Sequence, residues 1–158
     1  MKTRVGMGYD VHQLTEGRDL WLGGIKIEHS HGLLGHSDAD VLIHAICDAL
    51  LGAANMRDIG YHFPDTAEET DGIDSKILLR KTIDLIAKKG YKVGNIDCTV
   101  CAEKPKLNPY VEEMKKSLST VMETDIDDIS IKATTTERLG FTGRMEGISA
   151  YCVALIEK

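Results

Sequence analysis

From residue 4 to residue 11 apolar side chains fall on every second position, Val5, Met7, Tyr9 and Val11, which is the period of a β-strand. Leu20, Trp21 and Leu22, then Gly23-Gly24, then Ile25 and Ile27 read as a hairpin over residues 19–27, the paired glycines supplying the positive φ angles of a tight turn. Residues 28–35 read as a loop carrying His29 and His31. At Ser37 the pattern changes. Ser37-Asp38-Ala39-Asp40 approximates a capping box with acids in the positive first turn. Val41, Leu42, Ile43, Ala45, Ile46, Ala49, Leu50 and Leu51 follow, which predicts a largely buried helix opening at Ser37. Residues 55–72 form a polar loop with Asp58-Ile59-Gly60 and Phe63-Pro64-Asp65, turn-forming chemistry first. A second helix spans residues 75–89, with lysines in its last turn and Gly90 as its stop. Residues 91–102 form a strand, Lys104-Pro105-Lys106 a turn, and Asn108 caps a third helix with Pro109 at its first position, running to about residue 123. A strand over residues 129–133 leads through Thr134-Thr135-Thr136-Glu137 into a glycine-rich turn at 139–143, and residues 148–156 are the closing strand. The order β-β-β-α-α-β-α-β-β, without linker or repeat, predicts a single α+β domain over residues 1–158. Its mixed β-sheet is covered by helices on one face. The other face needs cover as well, which points to oligomerisation.

Composition narrows the function classes. A chain of 158 residues that is 42% hydrophobic can bury a core without staples. Nineteen basic against 25 acidic residues, net −6, with aromatics at only 5%, speak against nucleic acid and anionic membrane surfaces as partners. An anionic small molecule would need local cations or metal ions to overcome that sign. No run of about 18 apolar residues offers a membrane span, and the first residues lack an apolar targeting segment, so a cytoplasmic protein is expected. Cys47, Cys98, Cys101 and Cys152 are too few and scattered for a disulfide framework. Cys98 and Cys101 form a CxxC, but in an apolar β-rich run, where buried strand thiols fit better than a redox or zinc site.

The candidate chemistry starts at Asp10-Val11-His12. On a strand, residues two apart point to one side, about 6.6 Å apart along the chain. Asp10 and His12 can therefore reach one metal while Val11 faces the core; a strand-end Asp beside a surface His is the plainer alternative. His44, mid-helix with Asp40 and Asp48 one turn to either side, is either a core histidine held by a carboxylate or the third ligand. Those acids would then orient its imidazole. Asp10, His12 and His44 make a cysteine-free set with one position open, the pattern of catalytic zinc. His36-Ser37 at a helix start suits an anion, or Ser37 simply caps. Thr134, Thr135 and Thr136 offer hydroxyls to phosphate oxygens and Glu137 a carboxylate to Mg²⁺ or Mn²⁺, unless they are only a threonine-rich strand end. Arg144, after a glycine turn, is a phosphate clamp or a surface residue. There is no GxSxG, P-loop or GxGxxG and no enzymic nucleophile stands out, so the set suggests electrostatic handling of phosphates.

Several blocks are long, ordered and specific: Gly8-Tyr9-Asp10-Val11-His12; Gly32-Leu33-Leu34-Gly35-His36-Ser37-Asp38 through His44 to Gly52-Ala53; Asp58-Ile59-Gly60 with Phe63-Pro64-Asp65; Pro105-Lys106; and Lys132-Ala133-Thr134-Thr135-Thr136-Glu137 through Gly140-Phe141-Thr142-Gly143-Arg144-Met145-Glu146-Gly147. Over the whole chain they resemble the 2-C-methyl-D-erythritol 2,4-cyclodiphosphate synthases of the non-mevalonate isoprenoid pathway. The resemblance implies a phosphorus–oxygen lyase acting on 4-diphosphocytidyl-2-C-methyl-D-erythritol 2-phosphate. The substrate's 2-phosphate attacks the β-phosphorus, CMP leaves and a cyclic diphosphate forms. It implies Zn²⁺ at Asp10, His12 and His44, and a second divalent cation, Mg²⁺ or Mn²⁺, touched by Glu137 at the substrate diphosphate. His36 and Thr135 take catalytic roles. The cytosine nucleotide meets Ala102, Pro105, Lys106 and Leu107 with Thr134 and Thr135, and the ribose lies near Asp58, Ile59 and Gly60. The methylerythritol phosphate end meets His36, Ser37, Phe63, Pro64 and Asp65, while Asp10, His12, Thr136 and Glu137 serve the phosphates. The family assembles as a homotrimer with active sites between subunits, and Phe141 and Arg144 line a central cavity. Two other readings share the Asp10/His12/His44 site: a zinc hydrolase of phosphodiesters and a non-catalytic trimeric binding module, against which the ligand set speaks.

Overall fold

The computed structural model describes residues 1–66, 68 and 71–158; residues 67, 69 and 70 of the expected 55–72 loop lie outside the described residues. Strand β1 (Thr3–Glu16) is followed by β2 (Leu20–Leu22), β3 (Ile25–Ile27) and β4 (His31–Leu33), then helices α1 (Val41–Ala53), α2 (Ile59–His62) and α3 (Ser75–Lys88). The second half runs β5 (Lys92–Cys101), α4 (Val111–Met122), β6 (Ile129–Thr134), α5 (Gly140–Gly143) and β7 (Gly147–Glu157). The main sheet has the order β4-β1-β7-β5-β6, and β2 and β3 pair as a separate hairpin. Every neighbouring pair of the main sheet is antiparallel except β5 and β6, whose crossover contains α4. The sheet is thus mixed, as expected, and α1 lies across β1 and β7 on one face.

The alternation in β1 works against the simplest reading of it. Val5, Met7, Tyr9 and Val11 are exposed on the open face, Val5 and Met7 at 66% and 63%. Gly6, Gly8, Asp10 and His12 occupy the face toward α1. Val11 therefore does not face the helix-covered core. The reason is close approach: a Cβ at Gly8 would lie 1.9 Å from the Ala45 carbonyl oxygen and 2.7 Å from the Ala49 nitrogen. Only bare backbone lets α1 settle onto the strand. On β7 the same face carries Ile148, Ala150, Cys152, Ala154 and Ile156, all buried, while Tyr151 and Val153 are exposed on the other. Cys98 stands opposite Cys152 in the β5–β7 register, and all four cysteines are free and buried. Burial pushes the Cys47 thiol up to about 12, so it stays protonated and inert.

Two short helices form where irregular chain was expected, α2 in the 55–72 loop and α5 in the 139–143 turn, and three boundaries also differ. Residues 31–33, expected in a loop, pair with the end of β1 as β4. Helix α1 opens at Val41, not at Ser37, because Ala39 sits in the left-handed region at φ 58 and Asp40 is the N-cap. Helix α4 is preceded by a 3₁₀ turn at Asn108–Tyr110, and no side-chain hydrogen bond caps either start. The Asn108 cap is absent because the 3₁₀ turn continues directly into α4, leaving the chain already helical there.

Candidate active site

Asp10 and His12 project from β1 onto α1, where His44, only 7% exposed, meets them. The Asp10 Oδ2, His12 Nε2 and His44 Nδ1 atoms form a triangle with edges of 2.9, 3.1 and 3.2 Å. The outer ring nitrogens fix the tautomers. His12 Nδ1 lies 2.9 Å from the Leu34 carbonyl oxygen, which can only accept, so Nδ1 carries the proton. Ser75 donates its hydroxyl proton to Asp38, whose other oxygen takes the Ser75 N–H at 2.9 Å. The Ser75 oxygen, 3.0 Å from His44 Nε2, is then left to accept from it, with Ser37 Oγ at 3.2 Å on the same nitrogen. Both inner nitrogens are thus bare, and they face a carboxylate. Three lone pairs converging at such distances call for a cation between them, a metal ion or a shared proton. Zinc–nitrogen bonds of about 2.1 Å in tetrahedral geometry place ligand atoms about 3.4 Å apart, close to the observed triangle. With a proton in the cation's place, burial still opposes ionisation of Asp10, yet the hydrogen bonds and charges of His12 and His44 bring its carboxyl down to about 2. Burial likewise works against charging His12, but Asp10 and the Leu34 carbonyl raise its pKa overall.

The acids expected to orient His44 do other work. Asp40 is fully buried and accepts from the Gly23, Gly24 and Ile43 N–H groups at 3.0, 2.8 and 3.0 Å. It joins the hairpin turn to the start of α1. Burial pushes its carboxyl upward, against the pull of these three donors. Asp48 accepts from Ile59 N–H at 2.9 Å and so holds α2. Both carboxylates are spent on backbone donors: Ile43 and Ile59 are first-turn amides of α1 and α2 that lack a helical partner, and Gly23 and Gly24 are amides of the hairpin turn.

Around the triangle, Gly35, His36, Ser37, Ile59, Gly60, Phe63 and Asp65 line a cleft of about 210 Å³. His36 Nδ1 is 3.8 Å from Asp71. The Ser37 hydroxyl is turned inward, toward His44 and the Ala39 N–H. Asp58 caps α2 through the Tyr61 N–H, which sets Ile59 and Gly60 at the cleft, and Pro64 lies between Phe63 and Asp65.

A second cleft, of about 370 Å³, is lined by Ala102, Pro105, Lys106, Leu107, Thr134 and Thr135, the residues expected at a nucleotide, and also by Glu103, Asn108, Pro109 and Ala133. It sits at the carboxyl ends of the parallel strands β5 and β6, a usual place for a ligand in such an arrangement. The chain leaves β6 through residues in unusual conformations: Glu137 and Arg138 have φ of 52° and 65°, each costing roughly 1–2 kcal/mol for a residue with a Cβ. The turn is held on two sides. Glu103 accepts the Thr136 and Arg138 N–H groups at 3.2 and 3.0 Å, and Thr135 Oγ1 accepts the Glu137 N–H at 3.3 Å. Across it, a Cβ at Gly143 would lie 2.1 Å from the Arg138 carbonyl carbon.

The two clefts share no lining residue. Phe141 and Arg144 belong to neither. Phe141 borders a third cavity of about 600 Å³ with Val11, His31 and Met145, and Arg144 is paired with Glu146 at 3.0 Å. Sequence reasoning missed Asp38, Ser75, the Leu34 carbonyl and Glu103. The first three act only through long-range packing onto histidine nitrogens. Glu103 was readable in principle. The parallel register pairs Cys101 with Thr134, so two residues further on Glu103 runs beside Thr136.

Known proteins share this sequence pattern and this fold. The model of the YgbB family matches residues 3–157. The 2-C-methyl-D-erythritol 2,4-cyclodiphosphate synthase of Bacteroides thetaiotaomicron is 72% identical over 158 residues, covering 100% of this chain and 99% of the relative. A solved 2C-methyl-D-erythritol-2,4-cyclodiphosphate synthase in its CDP-bound form matches with a TM-score of 0.90 and 36% identity, over 98% of this chain and 100% of that one. The bifunctional IspDF of Campylobacter jejuni matches with a TM-score of 0.95 and 39% identity, over 98% of this chain but only 42% of that longer one. With its Asp10/His12/His44 triangle and its cleft beyond β5 and β6, the chain belongs to the YgbB family, that of the 2-C-methyl-D-erythritol 2,4-cyclodiphosphate synthases.

Proposed function

We propose that the protein converts 4-diphosphocytidyl-2-C-methyl-D-erythritol 2-phosphate to 2-C-methyl-D-erythritol 2,4-cyclodiphosphate and CMP. An oxygen of the 2-phosphate forms a bond to the β-phosphorus, the bond from that phosphorus to the bridging oxygen breaks, and the electron pair leaves with CMP. The nucleophile belongs to the substrate, in keeping with a chain that offers no enzymic one. The observation that carries the reading is the convergence of three donor atoms, Asp10 Oδ2, His12 Nε2 and His44 Nδ1, at the wall of a small cleft.

Zn²⁺ held by Asp10, His12 and His44, and Mg²⁺ or Mn²⁺ held by Glu137, would neutralise and polarise the phosphates. The chain's own residues position. Ala102, Pro105, Lys106 and Leu107 hold the cytosine, with Thr134 and Thr135 beside it, and Asp58, Ile59 and Gly60 serve the ribose. His36, Ser37, Phe63, Pro64 and Asp65 take the methylerythritol phosphate end. Thr135 and Thr136 present hydroxyls to phosphate oxygens, and His36 and Thr135 stabilise the charge that develops during transfer. Phe141 and Arg144 line a cavity at the centre of a homotrimer whose active sites lie between subunits, which would bring one chain's nucleotide cleft to another's metal cleft. Holding both reacting groups of one substrate in a small space supplies the advantage of an intramolecular reaction. Work in the cytoplasm suits four unpaired cysteines.

Phosphorus NMR of the protein with the cytidyl diphosphate substrate and Mg²⁺, before and after chelator treatment, tests this directly. CMP appearing with a cyclic diphosphate, and ceasing to appear once metal is stripped, is the expected result. CMP with a linear phosphate would identify a hydrolase, and no turnover by zinc-loaded protein would favour a binding module.

A further inference from the structure

Three consecutive amides in the turn after β6 point to two acceptors. The Thr136 and Arg138 N–H groups reach opposite oxygens of the Glu103 carboxylate, and the Glu137 N–H between them reaches the Thr135 hydroxyl. Glu137 and Arg138 are both left-handed, a conformation residues with a Cβ keep only where the surroundings over-determine it. On one side the bare backbone of Gly143 packs against Arg138. On the other stands Glu103, half-buried in the wall of the nucleotide cleft and brought there by the parallel register of β5 and β6. A carboxylate can accept both N–H groups at once; no other side-chain hydrogen bond to these two amides occurs among the described residues.

We infer that Glu103 is a positioning residue: by clamping the Thr136 and Arg138 amides it aims the Glu137 carboxylate at the divalent cation on the substrate diphosphate. The inference rests on the role proposed above for Glu137. Glu103 touches no reacting atom. It acts through the turn, and it ties the shape of the nucleotide cleft to the placement of the carboxylate that follows.

The test uses the full chain as wild type, Glu103→Ala and Glu103→Gln, with thermal melting as the fold control. Hydrogen exchange of peptides covering residues 134–139 reads the clamp. Binding of Mn²⁺ in the presence of CDP, followed by the electron paramagnetic resonance of free Mn²⁺, reads its consequence. In Glu103→Ala the turn should exchange faster than the rest of the chain, and Mn²⁺ affinity should fall about tenfold, the usual loss when a residue behind a metal ligand is removed. Glu103→Gln should lose less, because its amide oxygen still accepts one of the two N–H groups. Unchanged exchange, or a loosened turn with unchanged Mn²⁺ affinity, overturns the inference. If Glu103→Ala does not fold, Glu103→Gln decides alone: its Mn²⁺ affinity must fall, and an unchanged value refutes the clamp. Wild-type protein that binds CDP but no Mn²⁺ would instead refute the role of Glu137, and the inference with it.

Discussion

His44 offers Nδ1 to Asp10 and His12 because its Nε2–H is engaged by Ser75, and Ser75 can accept because its own proton goes to Asp38. A carboxylate two contacts away thus fixes the tautomer of a candidate metal ligand. Ser75→Ala removes the hydroxyl and leaves the main-chain bond from residue 75 to Asp38 in place, so the fold should survive. Zinc affinity should then drop about 10- to 100-fold, read by chelator competition. His44→Ala should lose the metal altogether. An unchanged zinc affinity in Ser75→Ala would mean that Ser37, 3.2 Å from the same nitrogen, holds the ring without Ser75. None of this chain was legible beforehand, because Asp38, Ser75 and His44 meet only after α3 docks against α1.

Helix α1 shows how far periodicity reaches and where it stops. Its apolar run predicted burial correctly, and the strand periods placed β1, β5, β6 and β7. Periodicity could not say which face of β1 meets the helix, because the face that does carries glycine instead of large apolar groups. Nor could it place the helix start. The pattern at residues 37–40 approximates a capping box, but Asp40 is itself the N-cap, and its carboxylate is claimed also by Gly23 and Gly24, far away in sequence. The glycine seam makes a paired prediction. Gly8→Ala forces a Cβ into the Ala45 carbonyl and should destabilise by about 3 kcal/mol or more in urea unfolding, beyond ordinary overpacking, because the obstacle is backbone. Gly52→Ala, within α1 and with nothing within 4 Å of its added Cβ, should stabilise by roughly 0.5–1 kcal/mol. Equal effects at the two sites would contradict the seam.

At the scale of the molecule, the apolar positions of β1 stand where one chain has nothing to pack them on. Val5, Met7, Tyr9 and Val11 join Tyr151 and Val153 of the neighbouring strand in one exposed patch, with the Tyr9 and Tyr151 rings 4.9 Å apart. A contiguous apolar patch on an otherwise charged chain marks an interface. The sequence suggested as much from the need to cover a second sheet face, and the proposed homotrimer would bury this patch. It would also allow the cleft beyond β5 and β6 and the cleft beside Asp10, His12 and His44, which share no residue within a chain, to meet across a subunit boundary. Sedimentation equilibrium should therefore give three times the 17.4 kDa chain mass. Val153→Asp, at the centre of the patch, should dissociate the protein and abolish turnover. Zinc should still bind to that variant, because Asp10, His12 and His44 all come from one chain. Oligomer loss would then separate the metal site from activity. A Val153→Asp monomer with full turnover would show that each chain builds a complete site alone, and the patch would need another occupant.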